Sequence, residues 1–330
     1  MTQRTLRTPG TLQTQQTQQL KGKNILVTGG AGFIGSHIVD RLAPDNKVFV
    51  LDNLFNGSME NLAKSQDRIT FIKGDIRDKE LVADAVSKVE YIFHLAAHVS
   101  VIRSLKDPYL DMEVNIKGML NLLEANRNNP NLKRLVHSSS AAVYGEAKYL
   151  PIDEECPLNP ESPYAVSKMA AEKYAFVYQK VYGLPVTALR SFNAYGPRQD
   201  TSAYANAIHI FLSRTKKGEP LAIFGDGEQT RDFVFVGDIV NANILAAVRP
   251  NAVGEIFNIA GEAHTVNQLI QVIREVTSKE VPVSYQPFRK GEIIHSKANI
   301  EKAKKLLGYA PKTNFKEGIR QTWQALNEKK

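Results

Sequence analysis

Tyr164 and Lys168 are four residues apart in a stretch of helical character, a spacing that puts both side chains on one face of a helix. A phenol titrates near 10 in water and is a poor base at neutral pH. A neighbouring ammonium group favours the phenolate and lowers that value. The phenol then takes a proton from a hydroxyl and returns it. A serine beside it shares and orients that proton, and Ser138-Ser139-Ser140 stands just after an apolar segment upstream. By itself the Y-x-x-x-K spacing is common on amphipathic helices.

A glycine loop gives the pair its meaning. Gly29, Gly32 and Gly35 follow the apolar run Asn24–Thr28 and open the helix-period run Ser36–Leu42. One glycine permits a tight turn, one lets backbone approach a pyrophosphate, and one lets helix pack on strand. Amides at the helix start, around Phe33 and Ile34, hold negative charge. Asp52 ends the second apolar run, 23 residues after Gly29, with Asn53 beside it. An acid there accepts hydrogen bonds from ribose hydroxyls and repels a 2′-phosphate, so NAD is favoured over NADP. Asp52-Asn53 is also good turn sequence. The positive nicotinamide ring of NAD⁺ would add to Lys168 in lowering Tyr164.

These groups need a scaffold. Short apolar runs at Asn24–Thr28, Val48–Leu51, Ile69–Ile72, Tyr91–His94, Leu135–His137 and Val186–Leu189 read as strands. Helical patterns lie between them, for example Leu110–Asn126 and Tyr164–Val181. Fully apolar strands alternating with amphipathic helices give a parallel sheet covered on both faces. The expected fold is α/β: a Rossmann-type doubly wound parallel sheet over residues 23–192, then a smaller substrate-binding lobe over 193–330. The chain is expected to cross between the lobes. In the second part, strands are expected at Leu221–Phe224 and Phe233–Val236, and helices at Thr265–Thr277, Ile300–Leu307 and Phe315–Leu326.

Composition excludes several classes. The 330 residues are 43% hydrophobic, too apolar for a disordered chain. One cysteine, Cys156, excludes a disulfide scaffold and points to a reducing, cytoplasmic setting. No run of eighteen apolar residues is present, so no membrane span is expected. The formal net charge is +8, but Arg4, Arg7, Lys21 and Lys23 supply half of it from a stretch without acids. No nucleic-acid motif accompanies the charge, so no nucleic-acid partner is expected. Residues 1–22 are rich in Thr and Gln, without period or apolar h-region, and read as a disordered tail rather than a secretory signal. The seven histidines have no paired ligand spacing, so no metal site is expected.

Several stretches together carry a family resemblance. They are Thr28–Gly35, Gly74-Asp75-Ile76, His94-Leu-Ala-Ala97, Ser138–Gly145, Ser162–Lys168, Phe192–Arg198, Gly225–Asp232 and Arg289-Lys-Gly-Glu292. The chain resembles the extended short-chain dehydrogenases/reductases that act as NAD-dependent sugar-nucleotide epimerases and dehydratases. The resemblance implies that Asp75 and Ile76 meet adenine, and that Leu95, Ala96 and Ala97 line the pyrophosphate and nicotinamide ribose. It implies Tyr164 as acid/base, with Lys168 holding the nicotinamide ribose. Ser140 aligns with the family serine, with Ser139 as the alternative. Asn193, Arg231 and Arg289 are assigned to the substrate diphosphate, and Glu292 to the nucleotide ribose. Arginine's planar fork suits such phosphates. His98 and Arg103 are assigned to the substrate, Arg103 toward the sugar or a carboxylate on it.

Within the family, dehydratases and UDP-glucuronate decarboxylases carry an acid after the catalytic serine or threonine. Ala141 and Ala142 stand there. The 3,5-epimerases use a further acid/base pair, and Cys156 is alone. The closest resemblance is to UDP-sugar 4-epimerases, in which carbon 4 inverts through a transient 4-keto sugar. Val99 stands where a lysine is frequent, and Ser296 where a tyrosine crowds the sugar. That leaves UDP-glucose, UDP-N-acetylglucosamine and UDP-glucuronate open as substrates. The alternatives are a sugar-nucleotide dehydrogenase/reductase or a non-catalytic NAD-binding scaffold. In relatives, the two long helices form a homodimer interface; packing within one chain serves them equally well.

Overall fold

The computed structural model describes residues 20–199, 207–288 and 293–328. Among the described residues, twelve strands run in chain order: β1 (Asn24–Thr28), β2 (Lys47–Asp52), β3 (Ile69–Lys73), β4 (Tyr91–His94), β5 (Arg134–Ser140), β6 (Val186–Ser191), β7 (Asn193–Tyr195), β8 (Leu221–Phe224), β9 (Thr230–Phe235), β10 (Ile256–Ile259), β11 (Glu262–Thr265) and β12 (Val283–Gln286). Seven form one parallel sheet in the order β10-β6-β5-β4-β1-β2-β3. This is the doubly wound Rossmann arrangement the apolar runs predict. The order reverses between β1 and β4, and ligands of such sheets bind in the crevice beyond the strand ends at that point.

Alternation along β1 shows why its run is wholly apolar. Ile25 and Val27 belong to the core on one sheet face, and Leu26 to the core on the other. Successive side chains of a strand point to opposite faces, so a sheet covered twice needs apolar residues throughout. Helices Phe33–Leu42 and Val236–Val248 cover the first face. Lys79–Ser87, Gly118–Asn126 and Pro163–Tyr182 cover the second. Each fully buried Leu or Ile there contributes about 1.5–3 kcal/mol.

Two of the elements that differ from the sequence reading bear on the site and the sheet. The helix expected over Leu110–Asn126 begins at Pro108, capped by Asp107, and contains a π turn at Glu113–Lys117. A π turn admits one extra residue, a shift that a hydrophobic period does not reveal. The second is β10, which follows the small-lobe segments yet pairs in parallel with β6 in the large sheet. The chain thus crosses between lobes.

The small lobe holds a three-stranded sheet, β11-β9-β7, and a parallel pair, β12-β8. Phe211, Leu212, Leu269, Phe315 and Ile319 are among the residues of its separate core. Helix Val266–Thr277 starts with a capping box, in which Thr265 and Gln268 satisfy each other's backbone amides. Among the described residues, no helix is long and apolar enough to cross a membrane. Residues 1–19 of the Thr/Gln-rich tail lie outside the described residues.

Candidate functional site

A cleft of about 740 Å³ opens beyond the ends of β1 and β4. Its floor is the glycine loop. Gly29 has φ +70°, and a Cβ there would lie 2.6 Å from the Ala96 amide nitrogen. A Cβ on Gly35 would lie 2.2 Å from the Gly29 carbonyl oxygen. Helix Phe33–Leu42 starts at Gly32 with neither a side-chain cap nor an acid in its first turn. Its N-terminal amides and dipole therefore face the cleft without competition from a side chain. Gly29, Gly32, Phe33, Ile34 and Gly35 all line it.

Asp52 is buried at the end of β2. Its carboxylate accepts from the Ala31 amide at 2.9 Å and the Leu54 amide at 2.8 Å. Burial pushes its pKa up, and the two backbone hydrogen bonds oppose that. Asp52 serves as the turn residue and also lines the cleft. Asn53 donates to Asp75 at 2.9 Å. Arg77, which sequence reasoning did not single out, grips the same carboxylate through Nε at 2.9 Å and also reaches Glu113 at 2.8 Å. The Arg77 hydrogen bonds hold Asp75 down at about 2. Ile76 is buried against the cleft wall.

On the other wall, Thr28 Oγ1 lies 2.8 Å from His94 Nδ1 and also accepts from the Ala96 amide at 3.3 Å. This fixes the turn Leu95-Ala96-Ala97 along the cleft. His94 stacks on His137 at 5.5 Å, and burial drives both histidines well below their ordinary value, His94 to about 3. Both are neutral core rings. Among the described residues, no cluster of His, Cys, Asp or Glu could hold a metal.

Ser140, Tyr164 and Lys168 line the cleft together. Ser140 ends β5 and caps the following turn through the Ala142 amide at 3.2 Å, and its hydroxyl is close enough to the Tyr164 phenol to lower its pKa. Helix Pro163–Tyr182 starts at Ser162, whose hydroxyl accepts from the Ala165 amide, with Pro163 in its first turn. That start sets Tyr164 in the first turn and Lys168 one turn further along the same helix. Lys168 Nζ donates to the Ser138 carbonyl, and burial pulls its pKa down to about 8. One expectation is corrected. Burial raises the Tyr164 pKa, Asp111 adds to the rise, and the Ser140 hydrogen bond opposes it. The chain alone does not lower this phenol.

Beneath these groups lies a buried network that sequence reasoning missed. Ser139 donates to Glu172 at 2.8 Å, Arg190 holds Glu172 through two bonds of 2.6 and 2.9 Å, and Arg190 also reaches the Tyr144 hydroxyl at 2.8 Å. The only sequence signal is that Glu172 falls one turn after Lys168.

The substrate-side residues are dispersed. Asn193 lines the cleft and donates to the Asp232 carbonyl at 3.0 Å. His98 and Arg103 also line it. Arg231 is not part of the lining; its guanidinium donates to the Thr230 and Ile294 carbonyls at 2.9 and 3.2 Å. β9 carries it in the small lobe, beside rather than inside the cleft. Arg289 and Glu292 lie outside the described residues.

A parallel sheet with a glycine cradle, a buried acid at the end of β2 and a Ser-Tyr-Lys group in one cleft defines a dinucleotide-dependent enzyme of the extended short-chain type. The family described as GDP-mannose 4,6 dehydratase matches residues 26–322, and the chain belongs to it. It is an NAD-dependent enzyme of sugar-nucleotide chemistry. A putative UDP-glucose 4-epimerase of Methanocaldococcus jannaschii is 42% identical over 92% of this chain and 99% of its own length. A UDP-N-acetylglucosamine 4-epimerase of Methanobrevibacter ruminantium, solved with UDP-N-acetylmuramic acid, superposes with a TM-score of 0.90 at 41% identity, covering 94% of this chain and all of that one. A UDP-glucose 4-epimerase of Thermus thermophilus, solved with NAD, gives 0.84 at 41% identity, covering 93% of this chain and 99% of that one. The open helix start, the glycine cradle and the buried Asp52 fit that cofactor.

Proposed function

We propose that the chain inverts carbon 4 of a UDP-linked sugar through a transient 4-keto sugar, with NAD retained throughout. The observation that carries this reading is that Ser140, Tyr164 and Lys168, the last two one helical turn apart, line the same cleft as the glycine cradle. Bound NAD⁺ would supply the hydride acceptor and a fixed positive charge, which the phenol needs because its protein surroundings raise its pKa. Tyr164 then removes the proton of the carbon-4 hydroxyl and later returns it, while Ser140 aligns that hydroxyl. Lys168 binds the nicotinamide ribose and keeps the phenol oriented. Asn193, in the cleft lining, is assigned to the substrate diphosphate with Arg289, and Arg231 would join them only by leaving the Thr230 and Ile294 carbonyls that hold it.

Absence of an acid at Ala141 and Ala142, in the turn after Ser140, supports epimerisation over dehydration. The resemblance places Ser296, whose amide donates to the Thr230 carbonyl at 3.1 Å, beside the sugar, where a side chain this small would accommodate an N-acetyl group. A homodimer fits the exposed apolar residues on helix Pro163–Tyr182, Val166, Val177 and Val181, together with Tyr109 and Met112. A reducing, cytoplasmic setting fits the single buried thiol of Cys156.

The test is proton NMR of UDP-glucose, UDP-N-acetylglucosamine and UDP-glucuronate, each incubated with purified protein and no added cofactor. New galacto-type anomeric signals are the expected result and identify the sugar. No change in any of the three, with or without NAD⁺, overturns the reading. Tyr164→Phe is expected to abolish turnover while NAD stays bound. Ser296→Tyr is expected to depress turnover of the acetylated sugar selectively.

A further inference from the structure

The mouth of the cofactor cleft is bridged. The loop after β2 brings Phe55 and Asn56 to one side, and the helical turn Val101–Lys106 brings Arg103 to the other. Arg103 Nη1 donates to Asn56 Oδ1, and its guanidinium lies 5.9 Å from the centre of the Phe55 ring. Phe55 is 61% exposed, a large apolar ring kept at the surface over the cleft. Its other described ring contact is His98, 6.1 Å away.

The Arg103 side of the bridge is anchored. The His98 amide donates to Asn115 Oδ1 at 2.8 Å, and the Asn115 amide nitrogen returns a bond to the His98 carbonyl at 3.2 Å. The His98 ring lies 3.4 Å from the carboxylate of Asp111, which is fully buried. Between His98 and Arg103, Ser100 has φ +104°, an unfavourable value for a residue with a side chain. Its hydroxyl caps the turn that presents Arg103. Backbone strain at one point, inside a segment fixed by buried hydrogen bonds, is what a specifically aimed side chain requires.

We infer that Arg103, Asn56 and Phe55 form a strap across the cleft that retains the bound dinucleotide between turnovers. The floor below is the glycine loop and its helix N-terminus, which suit a diphosphate. A guanidinium above supplies the second positive group, and its fork bonds oxygen acceptors on both the loop and a phosphate. Release requires the two walls to part, so the Arg103–Asn56 bond and the Phe55 contacts oppose it. The sequence assigned Arg103 to the substrate; its guanidinium instead faces the β2 loop, on the cofactor side. The inference rests on the proposed epimerase reading in one respect. An enzyme that ends each turnover with its cofactor in the starting state gains from never releasing it.

The test uses the full chain as wild type, Arg103→Ala and Asn56→Ala. Dinucleotide content is measured after gel filtration, and release of bound NAD is followed by displacement with excess NADH. Both variants are expected to emerge depleted of NAD and to release it about tenfold faster, the worth of one charge-assisted hydrogen bond. Thermal unfolding of the NAD-free proteins is expected to match wild type, since both side chains lie at the surface of the cleft mouth, and only the stabilisation that NAD adds is expected to be smaller. A wild-type release rate in either variant overturns the strap. A wild-type protein that neither carries nor binds NAD overturns the cofactor reading beneath it, which is a distinct failure.

Discussion

Ser139 and Ser140 are adjacent in β5 but have different partners: Ser139 donates to buried Glu172 at 2.8 Å, while Ser140 accepts from the Ala142 amide at 3.2 Å and lines the cleft with Tyr164. Neighbours on a strand point to opposite faces of the sheet. One hydroxyl therefore belongs to the fold and the other to the cleft. Ser140→Ala is expected to lower turnover by about a hundredfold or more with the melting temperature kept. Ser139→Ala is expected to cost roughly 1–3 kcal/mol of stability, because Glu172 loses a buried donor, with a smaller effect on turnover. Measuring turnover and unfolding on both variants decides the matter; the reverse pattern would reassign the serines.

Glu172 and Arg190 form a buried ion pair with a shortest distance of 2.6 Å. Glu172→Leu alone leaves Arg190 charged and underpartnered, at an expected cost of about 3–5 kcal/mol. Replacing both by Leu and Met is expected to cost less than the two single changes added together. Denaturant unfolding of the two singles and the double reports the coupling, and strict additivity would contradict it.

Stability is expected to fall as pH drops below about 6.5. Burial holds His94 at about 3 against an ordinary 6.5, and holds His137 low as well. Between those values the unfolded chain binds protons that the folded chain refuses, so acid favours unfolding through that window. Neither ring nitrogen of His137 has a hydrogen-bond partner. His137→Phe removes one such proton and two buried polar atoms. Urea unfolding from pH 4 to 7 should show a shallower slope for this variant; an unchanged slope would rule out the histidine origin.

Two glycines of the loop, Gly32 and Gly35, are expected to differ in tolerance. A Cβ on Gly35 meets backbone atoms at 2.2 and 2.8 Å, whereas one on Gly32 meets a single carbonyl oxygen at 3.2 Å. Backbone cannot yield as a flexible side chain does. Gly35→Ala should purify without bound NAD and with lowered stability, and Gly32→Ala should keep most of both. Equal NAD content in the two variants would count against this placement of the cradle.

Much of the large sheet was legible because each strand is buried on both sides, so its residues have to be apolar. Asn24–Thr28 and Tyr91–His94 match their strands residue for residue. β10 was not legible. Ile256–Ile259 is four residues, one of them Asn, and its partner lies far back in the chain. The Ser-Tyr-Lys group and the glycine loop announce themselves because local spacing dictates their function. Glu172 with Arg190, and Arg103 with Asn56, do not, because each pair meets only through the fold. The rise that the protein alone imposes on Tyr164 was not legible for the same reason: burial and the Asp111 charge are properties of the folded surroundings.

The position of β10 has a consequence for synthesis. Until Ile256–Ile259 emerges from the ribosome, β6 is an open sheet edge with unpaired amides and carbonyls. At roughly 5–20 residues per second, the stretch from Ser191 to Ile256 leaves that edge bare for on the order of 3–13 s. The nascent chain therefore carries a template for misassembly with its neighbours on a polysome, and a chaperone on that edge, or rapid translation through this interval, would guard the protein's yield.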